Sequence, residues 1–331
     1  MSVYSVITLT QLEQFLTQYS LGEVIHFEGI QEGVENTNYR VTTTTGTVIL
    51  TIFESLNKAD LSHILQLLQY LKEHSLCCPS PFLDKSANTL LALNTKQAAI
   101  FNWILGGIVV NPSVKHCYEV GLQLGKLHQL TQDYHFPVDS HYDWVDWTLR
   151  FNLVKDQLSL IDQKLIYDEL VFQKNNAVVG LPVGVIHGDL FKDNVLFLDD
   201  KVSGLLDFYS AGTGVLLMDI AIAVNDWCLN ESSEGLDDTK LRALLSAYET
   251  LRPLSLIELD YLPIALRAAA LRFWLSRLEL KYFPRDGVMI QKKDPLLFRQ
   301  LLDKHRSIQA VEIGSYSFNL LDSYVKVRSV M

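Results

Sequence analysis

Between positions 185 and 197 the chain reads Val185-Ile186-His187-Gly188-Asp189-Leu190-Phe191-Lys192-Asp193-Asn194-Val195-Leu196-Phe197, which spaces His187, Asp189 and Asn194 as H-x-D-x-x-x-x-N. Eighteen residues past Asp189, Leu205-Leu206-Asp207-Phe208-Tyr209 ends an apolar run on a second aspartate. A carboxylate on a loop can accept the proton of an attacking hydroxyl. An amide oxygen and a carboxylate together suit Mg2+, which takes few protein ligands and completes its shell from phosphate and water. Asp189 is therefore the candidate general base, and Asn194 and Asp207 the candidate metal ligands, of a phosphoryl-transfer centre. Alone, a loop aspartate is usually a turn or cap residue. The joint spacing, with two short strands between the second and third of these groups, is what carries the reading.

Such groups need elements to hold them. Residues 24–27, 39–43 and 47–53 are rich in β-branched and aromatic side chains, and Thr45-Gly46 supplies a hairpin turn between the last two. Asp60 is placed to cap a helix with the apolar stripe Leu61, Ile64, Leu65, Leu68 and Leu71, which Pro79 and Pro81 close. Residues 90–93 and 98–103 read as further strands, and Gly106-Gly107 breaks the pattern. Beyond it helical periodicity dominates, over 116–130, 142–160, 164–173, 241–251 and 255–280, with short strands at 194–198 and 202–207. The prediction is a two-lobed α+β fold: residues 1–101 a β-rich lobe, 102–108 a hinge, 109–331 a mainly helical lobe. A cleft between lobes is where a ligand belongs.

Composition narrows the function classes. With 48% hydrophobic residues the chain can fill a large core, and 28 Lys+Arg against 38 Asp+Glu leave a net charge of −10. That balance argues against nucleic acid, which demands clustered cations. Cys77, Cys78, Cys117 and Cys228 show no metal or disulfide spacing and read as reduced thiols. No basic, apolar leader and no run of ~18–20 apolar residues is present, so the expectation is a cytoplasmic protein, monomer or homodimer, that does not engage membranes.

The catalytic stretch resembles that of the aminoglycoside phosphotransferase-like superfamily, distant relatives of protein kinases. Along nearly its full length the chain is similar to the homoserine kinases of that superfamily. The resemblance is carried by Phe27-Glu28-Gly29-Ile30 with Gly33-Val34-Glu35-Asn36-Thr37-Asn38-Tyr39, by Gly204-Leu205-Leu206-Asp207-Phe208-Tyr209, by Asp219-Ile220-Ala221-Ile222-Ala223-Val224-Asn225-Asp226-Trp227-Cys228, and by Ala270-Leu271-Arg272-Phe273-Trp274 with Lys292-Lys293-Asp294-Pro295-Leu296. It implies a protein kinase-like fold and ATP- and Mg2+-dependent phosphorylation of a small molecule, L-homoserine, toward threonine. Other acceptors of the superfamily (aminoglycoside, choline or a related alcohol) and a nucleotide-binding pseudokinase are the alternatives. It also implies a phosphate-covering loop with Gly29, Gly33, Asn36 and Asn38, and an adenine-reading hinge at Asn102, Trp103 and Ile104. Thr51 falls where protein kinases place the ATP-clamping lysine, so Lys58 or Lys192 is left to help neutralise phosphate. His187 and Asp219 correspond to residues that brace the catalytic loop, although Asp219 also reads as the N-cap of a helix from Ile220. His128 reads as structural. Among Arg267, Arg272 and Arg277 on one predicted helix, and Asn225 to Trp227 on another, Arg272 and Asn225 are the expected acceptor contacts.

Overall fold

The computed structural model describes residues 5–30, 36–140, 143–230, 235–284 and 294–312, with side chains as far as 307. Gly33 of the expected phosphate-covering loop, and Lys292 and Lys293, lie outside the described residues. Helix α1 (Leu9–Leu16) opens on a capping box, in which the Thr8 hydroxyl accepts from the Gln11 amide and the Gln11 side chain accepts from the Thr8 amide. Strands β1 (Val24–Gly29), β2 (Thr37–Thr43), β3 (Gly46–Phe53), β4 (Leu91–Leu93) and β5 (Lys96–Asn102) then form an antiparallel sheet in the order β1-β2-β3-β5-β4. Alternation along the strands sorts its faces. Tyr39, Val41, Leu50, Ile52, Ala98 and Ile100 pack with α1, whereas Phe53, Ala99 and Phe101 join α2 (Lys58–Glu73) and the main core. The cap of α2 is Asn57, not Asp60: the Asn57 side chain accepts from the Asp60 amide, so the helix begins three residues earlier than predicted.

Past Gly107 the helices are α3 (Val114–Leu130), α4 (Trp144–Val154), α5 (Leu160–Asn175), α6 (Leu216–Trp227), α7 (Asp238–Glu249), α8 (Leu256–Tyr282) and α9 (Leu296–Glu312). Two small antiparallel ladders sit among them, β6 (Val183–Ile186) with β9 (Gly212–Val215), and β7 (Val195–Leu198) with β8 (Lys201–Leu205). The helix expected over 142–160 is broken after α4 by a 3₁₀ turn, because Ser159 caps α5 instead. Helix α3 lies close against α7 through two glycines. A Cβ at Gly121 would meet the Leu244 carbonyl oxygen at 2.1 Å, and one at Gly125 the Tyr248 carbonyl oxygen at 2.7 Å. The α+β, two-lobed architecture is the one predicted. No helix among the described residues is long and apolar enough to cross a membrane.

Candidate active site

Strand β6 ends at Ile186 and delivers His187, Gly188 and Asp189. Gly188 has φ 77°, a left-handed conformation that costs a glycine little. Asn194 lies in a 3₁₀ turn ahead of β7, and its Nδ2 donates both to the Asp189 carbonyl (2.8 Å) and to Asp189 Oδ2 (2.9 Å). With its nitrogen turned to Asp189, the amide presents Oδ1 elsewhere. Asp207 follows β8 with φ 60° and ψ 58°, a left-handed geometry that aspartate tolerates better than bulkier residues. Backbone bonds join the two metal-ligand candidates: the Leu206 amide donates to the Asn194 carbonyl at 2.8 Å.

His187 links the parts. Its Nε2 donates to the Leu206 carbonyl at 2.8 Å, and its Nδ1 accepts from the Asp189 amide at 3.3 Å. Burial pushes the imidazole below its ordinary pKa, against the opposing charge of Asp219 and the Leu206 carbonyl. With both nitrogens engaged and the ring neutral, His187 has no capacity left to act as base.

A second tier comes from α6. Asp219 lies in its first turn rather than at its N-cap, because the helix starts at Leu216, not Ile220. Its Oδ2 accepts from the His187 amide (2.6 Å) and its Oδ1 from the Gly188 amide (2.8 Å). His128 on α3 places Nε2 3.2 Å from Asp219 Oδ2, and Nδ1 2.7 Å from the Tyr248 hydroxyl on α7. Burial alone would raise the Asp219 carboxyl, but the hydrogen bond from His128 and the neighbouring imidazoles hold it below its ordinary value. Two turns along α6, Asp226 Oδ2 accepts from the Lys192 amide (2.7 Å), and the indole of Trp227 donates to the Leu190 carbonyl (3.0 Å). The catalytic loop therefore rests on one helix at three points. Reading helical spacing from Asp219 to Asp226 offers the signal for the second of them.

The two expected acceptor contacts are both engaged by the protein itself. Asn225 is buried, its Nδ2 donating to the Leu266 carbonyl and its Oδ1 accepting from His305 Nε2, so it joins α6 to α8 and α9. Arg272 is buried too and donates from Nη1 to the Gly188 carbonyl at 2.6 Å, which supports the loop from beneath. A helix sequence does not tell which neighbours each face will meet.

In the N-terminal sheet, the Thr51 hydroxyl donates to Asn38 Oδ1 at 2.7 Å across the β2–β3 register, so a neutral pair occupies this point of the two strands. Asn36 Oδ1 accepts from the Glu54 amide (3.3 Å), and Gly29 closes β1 opposite Tyr39. Asn102 Oδ1 accepts from the Ser80 amide at 2.6 Å, tying the end of β5 to the loop before it. Trp103 lies under the Arg40 guanidinium at 4.8 Å, and Ile104 packs over Gly204. Lys58 is exposed on the first turn of α2, whereas Lys192 Nζ lies 3.8 Å from Asp226 Oδ1.

The donor set fits magnesium. Asn194 Oδ1 and the Asp207 carboxylate are hard oxygen donors, and two of them match an ion that draws its other ligands from phosphate and water. Among the described residues no cluster of three or more His, Cys, Asp or Glu forms a protein-only metal cage.

Comparison with known proteins gives the family and the fold. Residues 26–254 match the phosphotransferase enzyme family, and the chain belongs to that family. Within it, the chain is 40% identical to the homoserine kinase of Methylobacillus flagellatus, over 94% of this chain and 97% of the relative. It is 38% identical to the homoserine kinase of Brucella anthropi, over 95% and 98%. Among solved structures, an amicoumacin kinase in complex with AMP-PNP and Ca2+ superposes with a TM-score of 0.72 at 15% identity, covering 96% of this chain and 97% of that one. A spectinomycin phosphotransferase in complex with ADP superposes at 0.63 and 12% identity, covering 92% and 99%. These two likenesses establish the kinase-like fold.

Proposed function

We propose that the chain transfers the γ-phosphoryl group of ATP, with Mg2+, to the side-chain hydroxyl of L-homoserine, a step toward threonine. The observation that carries phosphoryl transfer is the bond from Asn194 Nδ2 to Asp189 Oδ2, which couples the candidate base to a candidate metal ligand beside Asp207. Near-full-length similarity to homoserine kinases supports the acceptor. Residues 1–101 serve as the nucleotide-covering lobe, 102–108 as the hinge and 109–331 as the catalytic and acceptor lobe.

In this reading Asp189 accepts the proton of the attacking hydroxyl. Its Oδ2 is held by Asn194, which orients the carboxylate. Asn194 Oδ1 and the Asp207 carboxylate would hold the metal, which would supply neutralising charge for the transferring phosphate. His187 fixes the distance between the base and the segment carrying Asp207 by bonding both backbones. Backbone groups after β5 meet the adenine edge, and Gly29, Asn36 and Asn38 at the ends of β1 and β2 border the phosphates. Thr51 with Asn38 puts a neutral pair where a clamping cation would stand, so this strand supplies no charge to the phosphates.

The test is an ATP-consumption panel with L-homoserine, L-serine, L-threonine, choline and an aminoglycoside, read by coupled ADP release. Turnover concentrated on homoserine is the expected result. Turnover of an aminoglycoside or choline without homoserine would reject the acceptor and keep the phosphotransferase reading, and ADP release with none of them would favour a nucleotide-binding pseudokinase.

A further inference from the structure

Homoserine carries a carboxylate, which an arginine can read through two parallel N–H bonds. Helix α8 brings three arginines toward the catalytic half of the molecule, and their surroundings differ. Arg267 is buried against Glu169, with Nε 3.0 Å from Glu169 Oε1, and its guanidinium covers the ring of Phe172 at 3.5 Å. Arg272 is buried and committed to the Gly188 carbonyl. Both belong to the scaffold.

Arg277 is placed otherwise. It is only partly buried, its guanidinium lies 4.1 Å from the centre of the Phe298 ring, and its Nη1 donates to the Asp294 carbonyl at 3.0 Å. Phe298 belongs to an aromatic cluster whose other members are Phe273 (5.5 Å between centres) and Phe191 (6.0 Å). Phe191 is part of the catalytic loop, and its amide donates to the Asp189 carbonyl. The cluster thus spans from the candidate base to the ring on which Arg277 rests. The charges of Asp226, Asp193, Asp189 and Asp294 all act on this guanidinium and oppose the effect of its burial, so the base itself lies within its field. A planar cation stacked on an aromatic ring keeps its N–H edge available for the two oxygens of a carboxylate.

We infer that Arg277 binds the carboxylate of the amino-acid acceptor and so selects amino acids over other alcohols. This rests on the homoserine reading above. It assigns Arg277 where sequence reasoning favoured Arg272. The rival explanation is that Arg277 merely balances the four aspartates that face it, in which case its loss would affect every acceptor alike.

The experiment compares L-homoserine with L-homoserinamide, which keeps the hydroxyl and the ammonium and lacks the carboxylate charge. Wild-type enzyme is expected to prefer homoserine strongly in kcat/KM. Arg277→Met should lose about 100-fold on homoserine, mostly through KM, because one member of a charge pair is removed. It should leave homoserinamide and the ATP KM within about threefold, so that discrimination collapses. Discrimination that persists in Arg277→Met, or equal losses on both acceptors, overturns the inference. If the methionine variant fails to fold, Arg277→Lys retains the charge but not the fork. Its homoserine KM should then rise with homoserinamide unaffected, and an unchanged homoserine KM overturns the inference. Wild-type enzyme that ignores homoserine while turning over another alcohol overturns the acceptor reading and this inference with it, an outcome separate from the others.

Discussion

Asp189 and Asn194 stand five positions apart, and the distance between their side chains is a consequence of local chain geometry alone. The 3₁₀ turn over Lys192–Asn194 folds the amide back onto the loop, so one nitrogen bonds both the Asp189 carbonyl and its carboxylate. This makes a clean substitution available. In Asp189→Asn an amide oxygen can still accept from Asn194 Nδ2, while the basic group is gone. The variant should lose about 10²–10⁴-fold in kcat, the range for removing a positioned general base. ATP affinity by calorimetry and the melting temperature should stay close to wild type. Near-normal turnover would show that the proton leaves by another route, and His187 offers none because both of its nitrogens are occupied.

At the scale of elements, α6 is the organiser. Asp219 and Trp227 reach the catalytic loop from its two ends, while Asn225 turns away to join α8 and α9. The third member of that junction, His305 on α9, donates to Asn225 and is held down to about 4 by burial, with the charge of Arg267 acting in the same direction. An unfolded histidine titrates near 6.5. Between pH 6.5 and pH 4 the unfolded chain therefore takes up a proton that the native state refuses, and stability falls as pH is lowered through that window. One such group contributes up to about 1.4 kcal/mol per pH unit. His305→Gln keeps an N–H donor for Asn225 and removes the titration, so urea unfolding at pH 7, 6 and 5 should show a shallower decline than wild type. Parallel declines would mean that His305 is not buried neutral.

Which of these elements were legible follows from what makes each one form. The strands of the N-terminal sheet announce themselves because alternate residues must enter two different cores. Strands β6 and β9 do not, since Gly184, Gly212 and Gly214 carry no such signal. A Cβ at Gly212 would strike the Ser140 backbone at 2.6 Å, so the glycines are there for close approach rather than for strand propensity. The approach of Asn194 to Asp189, and of the segment before Asp207 to Asn194, is legible because a turn and a short hairpin set it. The surroundings of Asn225, Arg272 and Arg277 are not, because the neighbours of each helix face depend on helices far away in sequence.

At the scale of the whole molecule, the connection between the lobes is a contact as well as a linker. Gly107 and Phe197 exchange backbone hydrogen bonds of 2.9 Å in both directions, which fastens the segment after β5 onto β7 of the helical lobe. Gly106, one residue earlier, has φ 144°, a conformation rarely open to L side chains. A Cβ there would stand 2.4 Å from the Ser203 hydroxyl and 2.8 Å from the Phe197 carbonyl oxygen, whereas one at Gly107 would meet nothing within 4 Å. The two neighbours therefore make a matched pair. Gly106→Ala must either shift the connection off β7 or strain its own backbone, at a cost of about 1–3 kcal/mol. Gly107→Ala should stay within about 0.5 kcal/mol of wild type, as an exposed substitution without a clash does. Displacing the connection also moves Ile104, which packs on Gly204 just before the segment carrying Asp207. Gly106→Ala should accordingly raise the KM for ATP by more than that for the acceptor, with Gly107→Ala changing neither. Melting curves and paired KM measurements on the two variants decide the matter: equal behaviour would mean that the lobes are positioned by the packing between them and not by this contact.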